Sequence, residues 1–174
     1  TKRFVSTLLA LLLICSLPLS AFAEEYDLSV GSVTVNASES GQTVSQVNGV
    51  QNHTETTPTV ITQSTATTTN TVTITATENA TANVTIQDVN IANSDPSGSP
   101  QDHSGQAAVT IDVVDNASAN VTLDGVNIDV SGTGNIRKYA PGEAAVQITG
   151  NGDVTLELDG TNTVQSGSGR AGVE

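Results

Sequence analysis

A phrase that recurs with a nearly constant period constrains the fold of this chain more than any other feature. It reads NVTLDGVNIDV at residues 120–130 and NVTIQDVNIAN 37 residues earlier, and it returns as LELDGTNTVQ 35 residues later. Val72, Val109 and Val146, each followed two positions later by Ile, also recur at a spacing of 37. Such a period is typical of repeat proteins, in which each unit stacks on the next. The sequence therefore predicts a solenoid.

Within one repeat, apolar and polar residues alternate in short runs, first at Val109, Ile111 and Val113 and later at Ile128 and Val130. Alternating runs rich in Val, Ile and Thr predict strands that are buried on one face. One repeat alone buries too little apolar surface to offset the entropy lost on ordering it, so it must stack on neighbours about 4.8 Å away. We therefore predict an all-β, right-handed parallel β-helix, since parallel crossovers are almost always right-handed. One three-stranded coil per repeat is the preferred reading, and two shorter coils of about half that length remain an alternative.

The corners between strands are short and polar. The Asp-Gly pair at 124–125 provides a residue that tolerates positive φ, Gly160 keeps this glycine, and Asp88 replaces it in the first copy. A second corner carries insertions of different length, which begin at residues 94, 131 and 166. Variable loops at one position predict that this edge of the solenoid carries the binding surface.

The N-terminus has the pattern of a secretory signal. Lys2 and Arg3 precede an apolar run over 4–17, and Ala21 and Ala23 form a small-residue cleavage site. The run is too short to cross a bilayer comfortably, and Cys15 follows a bulky Ile, a poor context for lipid attachment. We expect cleavage after Ala23, a secreted or cell-surface protein, and no membrane insertion once the signal is removed.

The predicted organisation has three parts. Residues 1–23 are the signal peptide, 24–70 form irregular N-terminal capping coils, and 71–174 form the β-helix repeats. The repeats divide at about 72–108, 109–145 and an incomplete 146–174, which predicts a fragment of a longer protein. A flexible Thr-rich linker over 63–71 is an alternative for the end of the capping segment.

Charge excludes two classes of partner. The net charge is −13, and removal of the signal with its two basic residues makes it −15. Arg137, Lys138 and Arg170 would be the remaining cations, so nucleic acids and anionic membranes are poor partners. The exported part also lacks cysteine, so its stability must come from stacking.

Asparagine occupies equivalent places in the three recurring phrases, at Asn90, Asn127 and Asn162. We interpret these residues as a structural ladder whose side-chain amides stack from coil to coil. A row of ligand-binding amides is the alternative.

Acidic turns offer oxygen ligands of the kind that Ca²⁺ prefers. Asp112, Asp115 and Asn116 are the candidate metal ligands at one corner, and Asp124 and Asp159 are expected to stack one coil apart at another. Further acids, Asp95, Asp102 and Glu143, fall in the variable loops. For each of these acids, a solvated turn residue is the alternative role. His53 and His103 stand at no metal-binding or triad spacing and are interpreted as surface residues.

The segments ANVTLDGVNIDVSG and AAVQITGNGDVTLELDGTNTVQSGSGRAGVE resemble the carbohydrate-binding domain family of clostridial and gut Firmicutes cell-surface proteins. That resemblance implies a right-handed parallel β-helix related to pectate lyases. It also implies binding of cellulose-like or pectin-like polysaccharide, with calcium held by acidic and amide oxygens.

The residues themselves offer a modest binding set. Arg137, Lys138 and Tyr139, in the longest insertion, could hold a uronate carboxylate, with Asp124 and Asp159 as further ligand-binding candidates. No catalytic constellation is recognisable, so we expect a non-catalytic polysaccharide-binding protein. The alternatives are a structural stalk or adhesin segment without a glycan site and the non-catalytic part of a polysaccharide lyase. The Thr-rich array at 65–77 raises ice binding as a further, less favoured reading.

Overall fold

The computed structural model describes residues 24–55, 58–92, 106–131 and 142–174. Within these ranges every regular element is a β-strand, and no helix that could span a membrane is found there. The strands are β1 (Glu25–Asp27), β2 (Val33–Ser38), β3 (Gly41–Gln46), β4 (His53–Glu55), β5 (Thr59–Thr62), β6 (Val72–Ala76), β7 (Thr81–Gln87), β8 (Asn90–Ala92), β9 (Val109–Val113), β10 (Ser118–Asp124), β11 (Asn127–Asp129), β12 (Val146–Gly150), β13 (Asp153–Asp159) and β14 (Thr163–Gln165).

The strands form three sheets that run along a solenoid. Sheet A has the order β1-β5-β7-β10-β13, sheet B the order β12-β9-β6-β2-β3-β4, and sheet C the order β14-β11-β8. Each repeat contributes one strand to each sheet, and Val72 pairs with Val109, which pairs in turn with Val146. The predicted β-solenoid with one three-stranded coil per 37-residue repeat is thus confirmed, and the reading with two shorter coils is wrong.

The core is built from the alternating residues that the sequence pattern identified. Ile74, Ile111, Leu123 and Ile128 are fully buried, and they pack with their neighbours into one continuous aliphatic cluster. Their polar neighbours in each strand point outward, as the burial pattern of β9 shows by alternating strictly. Because each inward residue sits above its copy in the next coil, the core continues from coil to coil.

The N-terminal end has a different construction. β2 pairs in parallel with β6, but β3 pairs antiparallel with β2 and β4 antiparallel with β3. β5 continues sheet A, and Thr68 forms a parallel bridge with Ile91 of sheet C. Residues 63–71 therefore follow the path of a coil from sheet A past sheet C to sheet B.

The corner between sheets A and C depends on residues with positive φ. Asp88, Gly125 and Gly160 have φ angles of 52°, 64° and 64°. They follow strand positions that pair with one another, so the left-handed turn is repeated coil after coil. An aspartate at the first of these positions agrees with the tolerance of Asp for this region of φ/ψ space.

Candidate functional site on the outer face of sheet B

The outer face of sheet B carries two rows of polar side chains, because residues paired on neighbouring strands, parallel or antiparallel, stand side by side. The first row contains Ser45, Thr34, Thr73, Thr110 and Gln147, and the second contains Thr54, Thr43, Asn36, Thr75, Asp112 and Thr149. The Thr-rich array is therefore wider than the stretch at 65–77 indicated. Asp112 and Gln147 interrupt it, however, so the face is not a uniform threonine lattice.

A groove lies where the first row meets the beginning of the sheet B strands. Its volume is about 330 Å³, and its lining residues are Thr71, Thr73, Gln106, Ala107, Thr110, Glu143 and Gln147. We call this feature the sheet B groove. Its lining combines hydroxyl, amide and carboxylate groups, which can donate and accept hydrogen bonds. Two of its lining residues mark where variable insertions end, since Gln106 directly follows the first insertion and Glu143 is the last residue of the second.

The predicted ligand residues of the longest insertion, Arg137, Lys138 and Tyr139, lie outside the described residues, as do Asp95, Asp102 and His103. Glu143, the last residue of that insertion, lies in the described part of the chain and lines the sheet B groove. Arg170 lies in the described part of the chain and is already engaged. Its Nε donates to the Gly142 carbonyl at 3.0 Å, and its guanidinium forms an ion pair with Glu174.

The three predicted calcium ligands are found in two places. Asp112 lies on the outer face of sheet B, where its carboxylate accepts a hydrogen bond from Thr149 Oγ1 at 3.0 Å. Asp115 and Asn116 belong to the next corner, where they line a separate cavity of about 440 Å³ together with Glu78. Asn116 has a φ of 60°, so its side chain sits on a tight left-handed turn. Ca²⁺ takes six to eight oxygen ligands, so a calcium site at either place would need oxygen atoms beyond those of these three residues.

Asp124 and Asp159 do stack one coil apart, in register with Gln87 at the end of sheet A. Asp159 Oδ1 accepts a hydrogen bond from its neighbour Gly160 at 2.8 Å. Because the two acids stand at the corner between sheets A and C, they do not contribute to the lining of the sheet B groove.

The asparagine ladder contains two of the three predicted members. Asn127 Nδ2 donates to Asn90 Oδ1 at 3.0 Å. Asn162 is displaced by one residue, because Asn127 pairs with Thr163. The Asn162 side chain accepts from Val126 N and donates to the Asp159 carbonyl, so its inclusion in the ladder is corrected to a turn-capping role.

A second asparagine pair escaped the sequence interpretation. Asn120 Nδ2 donates to Asn83 Oδ1 at 3.0 Å on the outer face of sheet A. The repeat spacing of 37 that relates these two residues is a signal that could have revealed the contact.

His53 is exposed as expected, but it is not isolated. Its Nε2 lies 2.7 Å from a carboxylate oxygen of Glu24, and Glu55 stands nearby. The group of Glu24, His53 and Glu55 could not be recognised in the sequence, because residues 24 and 53 come together only when the N-terminal hairpin folds.

The described residues thus define a β-solenoid with a polar groove on one sheet. No family model, curated protein or solved structure matches the chain. The proposed function therefore rests on the fold and the groove.

Proposed function

We propose that this chain is an exported, non-catalytic β-solenoid that binds neutral polysaccharide through the sheet B groove. The observation that carries the proposal is the row of polar side chains across adjacent coils at the place where the variable insertions join the solenoid. Thr73, Thr110 and Gln147 stand in register, so their hydroxyl and amide groups repeat about every 4.8 Å. A regular array of this kind can hydrogen-bond the hydroxyl groups of a polymer that follows the solenoid axis.

Charge favours a neutral glycan over a pectin-like one. Among the lining residues that the structure describes, Glu143 is the charged one, and it is an acid in a chain of net charge −13. A uronate would be repelled by the net negative charge of the chain, and the guanidinium of Arg170 already forms an ion pair with Glu174. None of the predicted calcium ligands is among the lining residues of the sheet B groove, so the proposal does not depend on calcium.

Binding without cleavage is consistent with the same lining. Glycosidases generally use two carboxyl groups that flank the scissile bond. Among the described lining residues, Glu143 has no such acidic counterpart. The same residues include no aromatic side chain, so affinity must come from polar contacts distributed over several coils. A polymer should consequently be retained better than a single sugar, because linked contacts add avidity.

The test is retention of the exported chain on insoluble cellulose and on immobilised polygalacturonate, each with calcium and with chelator. We expect retention on the neutral polymer under both conditions. Gln147→Ala should weaken it by about tenfold, equivalent to about 1.4 kcal/mol and to the loss of one or two hydrogen bonds. Thr122→Val, on the outer face of sheet A, is the matched control and should bind as the parent does.

Three outcomes would contradict the proposal. Folded protein that binds no glycan would favour the structural stalk. Retention confined to polygalacturonate with calcium would favour the pectin-like reading, and equal effects of the two substitutions would place binding away from the groove. Circular dichroism of each variant verifies that the β-structure is intact.

A further inference from the structure

Three side chains with metal-binding atoms meet at the N-terminal end of the solenoid. Glu24, which precedes β1, and His53 and Glu55, both on β4, place one ligand atom each within 4.8 Å of one another. Glu24 Oε2 and His53 Nε2 are 2.7 Å apart. His53 and Glu55 are two positions apart in one strand, so both side chains point to the same side of it.

A buried tyrosine supports this group from beneath. Tyr26 is 3% exposed, and its hydroxyl donates a hydrogen bond to Glu55 Oε1. A tyrosine hydroxyl is protonated at neutral pH, so it acts here as a hydrogen-bond donor to the carboxylate. Such partners orient ligating carboxylates in metal sites.

We propose that Glu24, His53 and Glu55 bind a divalent transition-metal ion, Zn²⁺ in the first instance, at the N-terminal end of the solenoid. One imidazole nitrogen and two carboxylates form a donor set that zinc accepts in tetrahedral sites, with a fourth position left for water. The imidazole selects against Ca²⁺ and Mg²⁺, which prefer oxygen ligands alone. His53 and Glu24 are each nearly half exposed, so an ion can enter from solvent.

The position of the site gives it a structural consequence. β4 is the terminal strand of sheet B, and it pairs with β3 through three residues. An ion bound by Glu24 and β4 adds a second attachment for this short strand and closes a loop of about thirty residues. Metal binding should therefore stabilise the capping hairpin, since an ion that binds the folded state selectively shifts the unfolding equilibrium.

The test uses the exported chain without a histidine tag, with its N-terminus verified by mass spectrometry and bound metal removed by chelator. Calorimetric titration should show one Zn²⁺ per chain, and Zn²⁺ should raise the Tm by several degrees. Ca²⁺ at the same concentration should leave the Tm unchanged. His53→Gln and Glu55→Gln should each weaken zinc binding at least tenfold, whereas His103→Gln, which alters the other histidine of the chain, should bind as the parent does.

A second measurement separates metal binding from general damage to the hairpin. In a Tyr139→Phe background, Tyr26 is the remaining tyrosine of the exported chain, so its fluorescence reports on the site. Zn²⁺ should change this signal in the parent and not in His53→Gln. The metal-free Tm of His53→Gln should stay close to that of the metal-free parent. Absence of stoichiometric binding, binding that survives His53→Gln, or loss of binding in His103→Gln would each overturn the proposal.

Discussion

Core-facing apolar residues are buried to different extents in the N-terminal hairpin and in the last coil that the structure describes. Ile86, Leu123 and Leu158 occupy one register position on three successive strands of sheet A. Ile86 and Leu123 are fully buried, but Leu158 is 64% exposed. At the N-terminal end, by contrast, the folded-back strand β3 covers the last parallel strand of sheet B, and its Val44 is fully buried.

This difference shows that the direction in which a side chain points and the extent to which it is buried are separate properties, although a repeat pattern reflects both. Alternation within a strand determines which side chains face inward, whereas burial depends on what lies above and below that strand. Leu158 keeps the alternation but lacks a following strand among the described residues. The hairpin of β3 and β4 provides such a cover with antiparallel strands, without another repeat.

The largest effect should come from truncating the same register position in two coils. Leu123→Ala should lower the free energy of unfolding by about 2–5 kcal/mol, because it opens a cavity in the core. Leu158→Ala should cost less than about 1 kcal/mol, since most of the side chain is already in water. Urea unfolding followed by circular dichroism measures both changes. Similar losses for the two variants would mean that Leu158 is covered in solution, and the contrast between the coils would fail.

An intermediate loss of stability is expected at the N-terminal end, where the side chain of Gln42 pairs with a strand of sheet A. Gln42 Nε2 donates to the Asn83 carbonyl at 3.1 Å, and Gln42 Oε1 accepts from Asn83 N at 2.9 Å. The side-chain amide thus pairs with β7 as a peptide group would, beside the first residue of β5. Gln42→Leu should cost about 1–3 kcal/mol, because it leaves a partly buried donor and acceptor of Asn83 without their partner.

Gln87→Leu, on the half-buried outer face of sheet A, is the matched control and should change stability by less than about 0.5 kcal/mol. The same urea unfolding measurement compares the two variants. An equal effect of the two substitutions would show that the amide pairing with Asn83 contributes nothing to the cap.

The fold was predictable where the chain repeats and unpredictable where it does not. The spacing of Val72, Val109 and Val146 predicted the coil, because parallel stacking requires equivalent residues to recur at a constant period. The antiparallel path of β3 and β4 leaves no such period in the sequence. The displacement of Asn162 has a related cause. The corner between β13 and β14 has one residue more than the corner between β10 and β11, which shifts the register after the Asp-Gly pair and leaves that pair unchanged.

The candidate site residues were likewise predictable within the repeats and unpredictable outside them. The in-register row of Thr73, Thr110 and Gln147 could have been located from the repeat alone. The group around His53 could not, since its members are separated by about thirty residues and meet through a hairpin that sequence spacing does not encode. Asp112 and Asp115 were expected at one corner, but Asp112 still belongs to β9 and accepts a hydrogen bond from Thr149, whereas Asp115 follows the strand and lines the cavity at the corner.

The smallest effect on the free energy of unfolding is expected for Asp27, an acid at the N-terminal end of the solenoid. Asp27 accepts hydrogen bonds from the Ser64 hydroxyl and from the backbone N–H groups of Ser29 and Ser64. These bonds, that of the Ser64 hydroxyl first, lower its pKa from 3.8 to about 2. Because the folded-state pKa lies below the unfolded value, the contribution is complete above about pH 4 and is lost as the pH falls towards 2.

Asp27→Asn should therefore lower the free energy of unfolding by at most about 1 kcal/mol at pH 7, since solvent screens a partly exposed carboxylate. The difference from the parent should shrink between pH 4 and 2 and vanish below that, as urea unfolding across this range would measure. Ser64→Ala should show a smaller difference with the same pH dependence, because it removes the first of the bonds and leaves the backbone donors in place. A difference that persists unchanged to pH 2 would mean that the neutral Asp27 side chain, through its shape and not its charge, holds β1 against β5.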